Sequence, residues 1–205
     1  PMAIAFVITV LLVFELGKSF VPRRPWLPAL IYLASPIPML ATSAITTDTL
    51  LACAETAAVM AYAKYRFSNK NGRWLDLMWA IFGLAFMIKG PPALLPMLAI
   101  VVWEWKSSRL KALVRPVGLG LFVLLGFTWF AAITYKNPEL LNYFFGHEVV
   151  ERIASANHNR NGEWYGGFLV YLPTLALGAL PWLGIVIWRK WLKREQTPLP
   201  DTSKF

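Results

Sequence analysis

A single cysteine, two histidines and few acids set the first limits on this 205-residue chain. Cys53 stands alone, so no disulfide forms within the chain and no zinc site rests on thiolates. It lies inside an apolar segment and reads as a buried, inert thiol. His147 and His158 lack the close spacing of a strong zinc motif. Charged residues make up 15% of the chain, against about 25% in a soluble domain. Low-complexity tracts, clear repeats and a soluble second domain are all missing from the pattern. A cleavable signal peptide is missing too, since residue 1 is proline and an apolar run begins at once. Such a start reads as a chain cut at its N-terminus.

What remains is apolar and basic. Hydrophobic residues make up 57%, so the solvent to reason with is lipid. The net charge of +9 gathers in four clusters: Lys18/Arg23/Arg24, Lys64/Arg66/Lys70/Arg73, Lys106/Arg109/Lys111/Arg115 and Arg189/Lys190/Lys193/Arg194. They hold 15 of the 20 Lys and Arg residues, and the stretches between them are almost free of charge. Short basic loops between apolar segments mark a multispanning membrane protein whose basic loops stay cytoplasmic. Nucleic acid is not the partner implied, because no basic face alternates with exposed aromatics. Tryptophans such as Trp26, Trp74, Trp103, Trp105 and Trp188 recur near segment ends, where interfacial anchors belong.

A helix needs about 20 residues to cross a bilayer. The apolar runs 2–17, 27–45, 49–65, 74–88, 91–105, 116–135 and 165–188 are candidates. They predict an all-α fold, a polytopic transmembrane helical bundle of about seven membrane segments with one long outer loop. Segments 74–88 and 91–105 are short and are separated by Pro91 and Pro92, which force a break. Two segments lie between each successive pair of clusters, so all four clusters fall on one side. The other side receives the turn at Asp48, the break at Lys89-Gly90-Pro91-Pro92 and the loop 136–164. The transmembrane domain is therefore 1–194, and 195–205 reads as a polar tail or truncated linker. Ala54/Ala58 and Ala57/Ala61 offer small-residue packing surfaces.

The polar residues of the outer side carry the chemistry. Asp48 reads as the N-cap of a helix beginning at Thr49, and also as an acid in a membrane-surface cleft; the two readings are compatible. Lys89 departs from the cytoplasmic clusters. A lysine near hydrocarbon depth costs about 2.5–3.5 kcal/mol unless it snorkels or pairs with an anion. A phosphate suits it, and a broken helix at Gly90-Pro91 is expected to expose backbone dipoles alongside. The loop 136–164 holds Tyr143, His147, Glu148, Glu151, Arg152, His158, Arg160 and Glu163. If it is helical, His147 and Glu151 share a face with Arg152 beside them. That set suits a phosphate, a metal or acid–base work, and a solvated helical face is the bland reading.

Three stretches carry a resemblance. They are Thr46-Thr47-Asp48-Thr49-Leu50-Leu51, Gly83-Leu84-Ala85-Phe86-Met87-Ile88-Lys89-Gly90-Pro91 and Phe144-Phe145-Gly146-His147-Glu148-Val149-Val150-Glu151-Arg152. Trp164-Tyr165, Tyr171-Leu172-Pro173 and Gly178-Ala179-Leu180-Pro181-Trp182 follow in order. Across about residues 40–185 the chain resembles the GT-C membrane glycosyltransferases of the aminoarabinose and protein mannosyltransferase superfamily. The resemblance implies transfer of a sugar from a polyprenyl-phosphate donor to a lipid A-like lipid or a protein, on the outer face of a bacterial inner membrane. It places Lys89, His147 and Arg152 around the donor phosphate and Asp48, the catalytic candidate among the residues present, as a second acid in the cleft. Tyr143 and His158 are taken with them as substrate-binding residues. The family's main catalytic acid lies in a first outer loop, upstream of every residue here, and no acid precedes Glu15. The fragment is therefore expected to lack its base and to be inactive on its own.

No cofactor is expected, with a divalent metal at His147 as the alternative. The expected partners are a lipid-linked sugar donor, a lipid or protein acceptor and membrane lipid. The rival function is a transporter or channel subunit. Transporters keep ionisable residues near the midplane on broken helices, whereas the outliers here gather at the outer surface.

Overall fold

The computed structural model describes residues 1–44, 46–142 and 165–195. They form helices α1 (Met2–Phe20), α2 (Trp26–Leu33), α3 (Pro36–Ala41), α4 (Asp48–Ala63), α5 (Arg73–Lys89), α6 (Leu95–Lys106), α7 (Pro116–Lys136), α8 (Glu139–Asn142) and α9 (Gly166–Glu195). A π-helical turn, Lys64–Asn69, continues α4, and 3₁₀ turns Pro91–Leu94 and Leu110–Leu113 precede α6 and α7. Among the described residues there is no strand.

Proline decides most boundaries. Ser35 is extended (φ −77°, ψ 127°) because the ring of Pro36 bars it from the helical region, and Pro36 then opens α3. The run 27–45, expected as one segment, is therefore two short helices of 8 and 6 residues. Pro116 opens α7 in the same way, after an extended Arg115 (φ −116°, ψ 119°). Among the described residues, two helices are long and apolar enough to cross a membrane, Met2–Phe20 and Pro116–Lys136. A third span results if Gly166–Ala179 and Trp182–Arg189, bent by 64°, count as one. The bend falls beside Pro181, the usual cause of a sharp kink.

The core lies where α4, α5 and α7 pack side by side, with α1 on the far side of α4. Leu75, Met78, Trp79 and Phe82 recur at three- and four-residue spacing and make one buried stripe of α5. Ala58 and Ala61 of α4 are fully buried in the same cluster, one residue from each of the expected small-residue pairs, while Ala54 and Ala57 are only partly buried. Lipid is as apolar as leucine, so such helices are held by close contact rather than by expulsion of water. Gly83 shows how close: a Cβ there would sit 2.8 Å from the backbone oxygen of Phe122 on α7. Outward, α7 and α9 present large apolar side chains such as Val123, Leu124, Trp129, Leu169 and Ile187.

Three basic clusters meet at one end of this bundle. Lys18 and Lys64 both bind Glu15, the second at 2.9 Å. Arg115 grips Asp76 through two hydrogen bonds of 2.8 Å. Phe20 meets Phe67 edge to face at 5.3 Å between ring centroids. Trp182 Nε1 donates to Ser35 Oγ at 3.2 Å, and Gly178 lies against Ile37, so α9 runs antiparallel to the α2–α3 stretch.

Candidate active site

Because α4 and α5 are antiparallel, the first residue of one faces the last residue of the other. These two residues are Asp48 and Lys89, and the lysine ammonium donates to Asp48 Oδ1. The pair stands at the end of the bundle away from the three basic clusters. Both side chains stay open to the surface, at 38% exposure for Lys89 and 54% for Asp48. An ion pair so exposed contributes at most about 1 kcal/mol to stability. Its consequence is to fix two opposite charges at one mouth.

Asp48 does not cap the helix as expected. The helix begins at Asp48 itself, its N-cap is Thr47, and no side chain caps it. The reason is competition: the carboxylate turns to the Lys89 ammonium. Contact with the ammonium holds the Asp48 carboxyl below its ordinary range, against a smaller opposing effect of burial.

Lys89 is placed by the residue that follows it. Gly90 has φ 72° and ψ −142°, a conformation essentially restricted to glycine, and its N–H bonds the Phe86 oxygen at 2.6 Å. The chain therefore turns sharply after Lys89 and leaves the ammonium at the helix C-terminus, where the dipole favours a cation. The backbone dipoles expected at this break are not on offer. Pro91 and Pro92 have no N–H, and the N–H of Ala93 is taken by Gly90 O at 3.1 Å. The donor that the break presents is the lysine side chain.

Sequence reasoning passed over Glu55. It lies seven residues after Asp48, on the same face of α4 two turns along, partly buried and within electrostatic reach of Lys89. The available signal was plain: Glu55 is the one acid within 49–65, and an acid in an apolar span is a functional candidate by default. Tyr143, His147, Arg152 and His158 lie outside the described residues, as does the metal alternative at His147.

Residues 1–133 match the family model described as dolichyl-phosphate-mannose-protein mannosyltransferase. Curated relatives agree with it. A protein of Yersinia pestis (strain Pestoides F), named undecaprenyl phosphate-alpha-4-amino-4-deoxy-L-arabinose arabinosyl transferase, is 35% identical over 129 residues, covering 60% of this chain and 22% of that protein. The protein of the same name from Edwardsiella ictaluri (strain 93-146) is 31% identical over 193 residues, covering 89% of this chain and 34% of its own length. The chain thus spans between 22% and 34% of the length of these relatives. No solved structure matches it.

Proposed function

The chain belongs to the dolichyl-phosphate-mannose-protein mannosyltransferase family, and from that premise we propose that it acts in moving a sugar from a polyprenyl-phosphate donor to a lipid or protein acceptor. The relatives' printed name, with its undecaprenyl-phosphate sugar, supports the donor class. The observation that carries the reading is the Asp48–Lys89 pair, set at the end of an apolar helix bundle opposite its basic loops.

In this reading the basic end faces the cytoplasm and the pair faces the outside of a bacterial inner membrane. The shorter helices α2–α6 complete about seven membrane segments by borrowing their flanking polar residues. In the transfer, an acceptor oxygen bonds to the anomeric carbon as the bond from that carbon to the phosphate oxygen breaks. The electron pair of the broken bond leaves on polyprenyl phosphate, and the acceptor proton goes to a carboxylate base outside the described residues. Lys89 meets the growing negative charge on the leaving phosphate. Asp48, held ionised by that lysine, is a weak base and serves to aim the ammonium and to accept from a hydroxyl of sugar or acceptor. Tyr143, His147, Arg152 and His158 complete the phosphate and sugar contacts from the loop. The metal alternative at His147 is decided by metal content before and after His147→Ala.

The test is transfer from a labelled polyprenyl-phosphate sugar by membranes carrying the full-length protein. Lys89→Ala should lower the rate by about 10²–10³, and Lys89→Arg should restore it only in part, since the two cations differ in shape and hydration. An unchanged rate in Lys89→Ala would remove the pair from the chemistry.

A further inference from the structure

The bundle's basic end holds a polar cavity away from the Asp48–Lys89 pair. It is a cleft of about 310 Å³ lined by Tyr65, Arg66, Lys70, Glu104 and Arg109 among others. It joins the second basic cluster to the third, so residues far apart in sequence line one wall. Three cations face one acid. An anion of one or two charges would be well matched to that balance.

The acid supplies a second requirement. Glu104 sits on α6 with its side chain only 3% exposed. Its Oε1 accepts from the Tyr62 hydroxyl and lies 3.2 Å from Arg66 Nε. Its Oε2 is buried and has no hydrogen-bond partner among the described residues. A buried carboxylate oxygen without a donor is costly, and here that oxygen belongs to a residue lining a cleft. The cleft therefore suits a ligand that brings a donor as well as an anion.

Backbone geometry marks the same place. Tyr65 and Arg66 belong to the π-helical turn Lys64–Asn69, and Lys70 is left-handed at φ 46°. Both features are rare and cluster where function, not packing, sets the conformation. Height in the membrane follows from Trp103 and Trp105, which flank Glu104 on α6 and are 56% and 71% exposed. Exposed tryptophans at a helix end sit at headgroup level.

We propose that this cleft binds the headgroup of a membrane phospholipid, its phosphate between Lys70 and Arg109 and a hydroxyl or ammonium donor of the headgroup on Glu104. Phosphatidylglycerol and phosphatidylethanolamine both satisfy this description. Phosphatidylcholine has no donor and does not. Inorganic phosphate supplies the anion without the membrane anchor.

The experiment uses the full-length protein, delipidated in detergent, with short-chain forms of these three lipids or inorganic phosphate as probes, and reads binding by native mass spectrometry. The wild type should retain phosphatidylglycerol and phosphatidylethanolamine well above phosphatidylcholine. Lys70→Ala with Arg109→Ala should weaken retention by about thirtyfold, as two basic contacts at the membrane surface imply. Both side chains are exposed, so this variant keeps its fold. Glu104→Gln should erase the preference over phosphatidylcholine while leaving phosphate attraction. Equal retention of all three lipids by the wild type, no loss in the double variant, or displacement by millimolar inorganic phosphate would each overturn the assignment.

Discussion

Lys89, the last residue of α5, is ion-paired with Asp48, the first residue of α4, across 41 positions of sequence. The pair closes one end of an antiparallel helix pair whose other end carries the basic clusters. The 16 residues of α4 set those ends about 24 Å apart, at about 1.5 Å per residue. That span, with apolar surface between, approaches the hydrocarbon thickness of a bilayer of about 30 Å. In the proposed orientation, membrane separates the charge at the two ends.

The first prediction is of sidedness. In a Cys53→Ser background, Thr46→Cys beside the pair and Ser108→Cys at the basic end should answer differently to a membrane-impermeant maleimide. Both positions are exposed. Only Thr46→Cys should be labelled on intact cells, and labelling of Ser108→Cys under the same conditions would contradict the topology.

Packing of α5 on α7 rests on Gly83. Gly83→Ala forces its Cβ to 2.8 Å from the Phe122 backbone oxygen, which cannot swing aside. The cost should be about 1–3 kcal/mol, as for other overpacked sites. Gly120→Ala is the control: a Cβ there meets nothing within 4 Å, and the better helix former should leave stability equal or slightly higher. Thermal unfolding in detergent checks both, and equal behaviour of the two variants would mean the helices do not approach so closely.

Acid should loosen the Asp48–Lys89 contact late. The ammonium holds the Asp48 carboxyl below the value of about 3.9 that it has in an unfolded chain. A folded-state value lower than the unfolded one means the stabilisation is fully present above pH about 4 and is lost as pH falls through the lower value. The stability difference between wild type and Asp48→Asn should thus stay flat from pH 8 to 5, at no more than about 1 kcal/mol, and shrink only below about 4. A difference that vanishes between pH 7 and 5 would show that Lys89 does not hold the carboxylate.

Much of this was legible in the chain because local rules govern it. Apolar runs bounded by Pro91 and Pro116 announce helices and breaks, and the clusters on either side announce which ends coincide. Ser35 shows the limit: its extended backbone is a consequence of Pro36, yet the run 27–45 looks unbroken by hydropathy alone. Asp48 and Lys89 were each visible as polar residues out of place, but their contact depends on how α4 and α5 align. The expected N-cap role of Asp48 failed for the same reason, since a capping preference is local and the lysine that overrides it comes from another helix. Glu104 was hidden by its neighbours, one more charge beside Lys106 and Arg109. Only the packing of α6 near Tyr62 and Arg66 shows that it is buried.

The central claim is that Lys89, and not the larger positive charge at the other end, receives the donor phosphate. Its most direct test is the affinity of the full-length protein for a polyprenyl-phosphate sugar, measured for Lys89→Ala and for Lys111→Ala, an exposed cation of the basic end outside the cleft, in the same detergent. Loss of a charge-assisted contact of about 1.5–3 kcal/mol implies a weakening of roughly 10- to 150-fold in Lys89→Ala, with Lys111→Ala unchanged. Full donor affinity in Lys89→Ala, or an equal loss in Lys111→Ala, would contradict it.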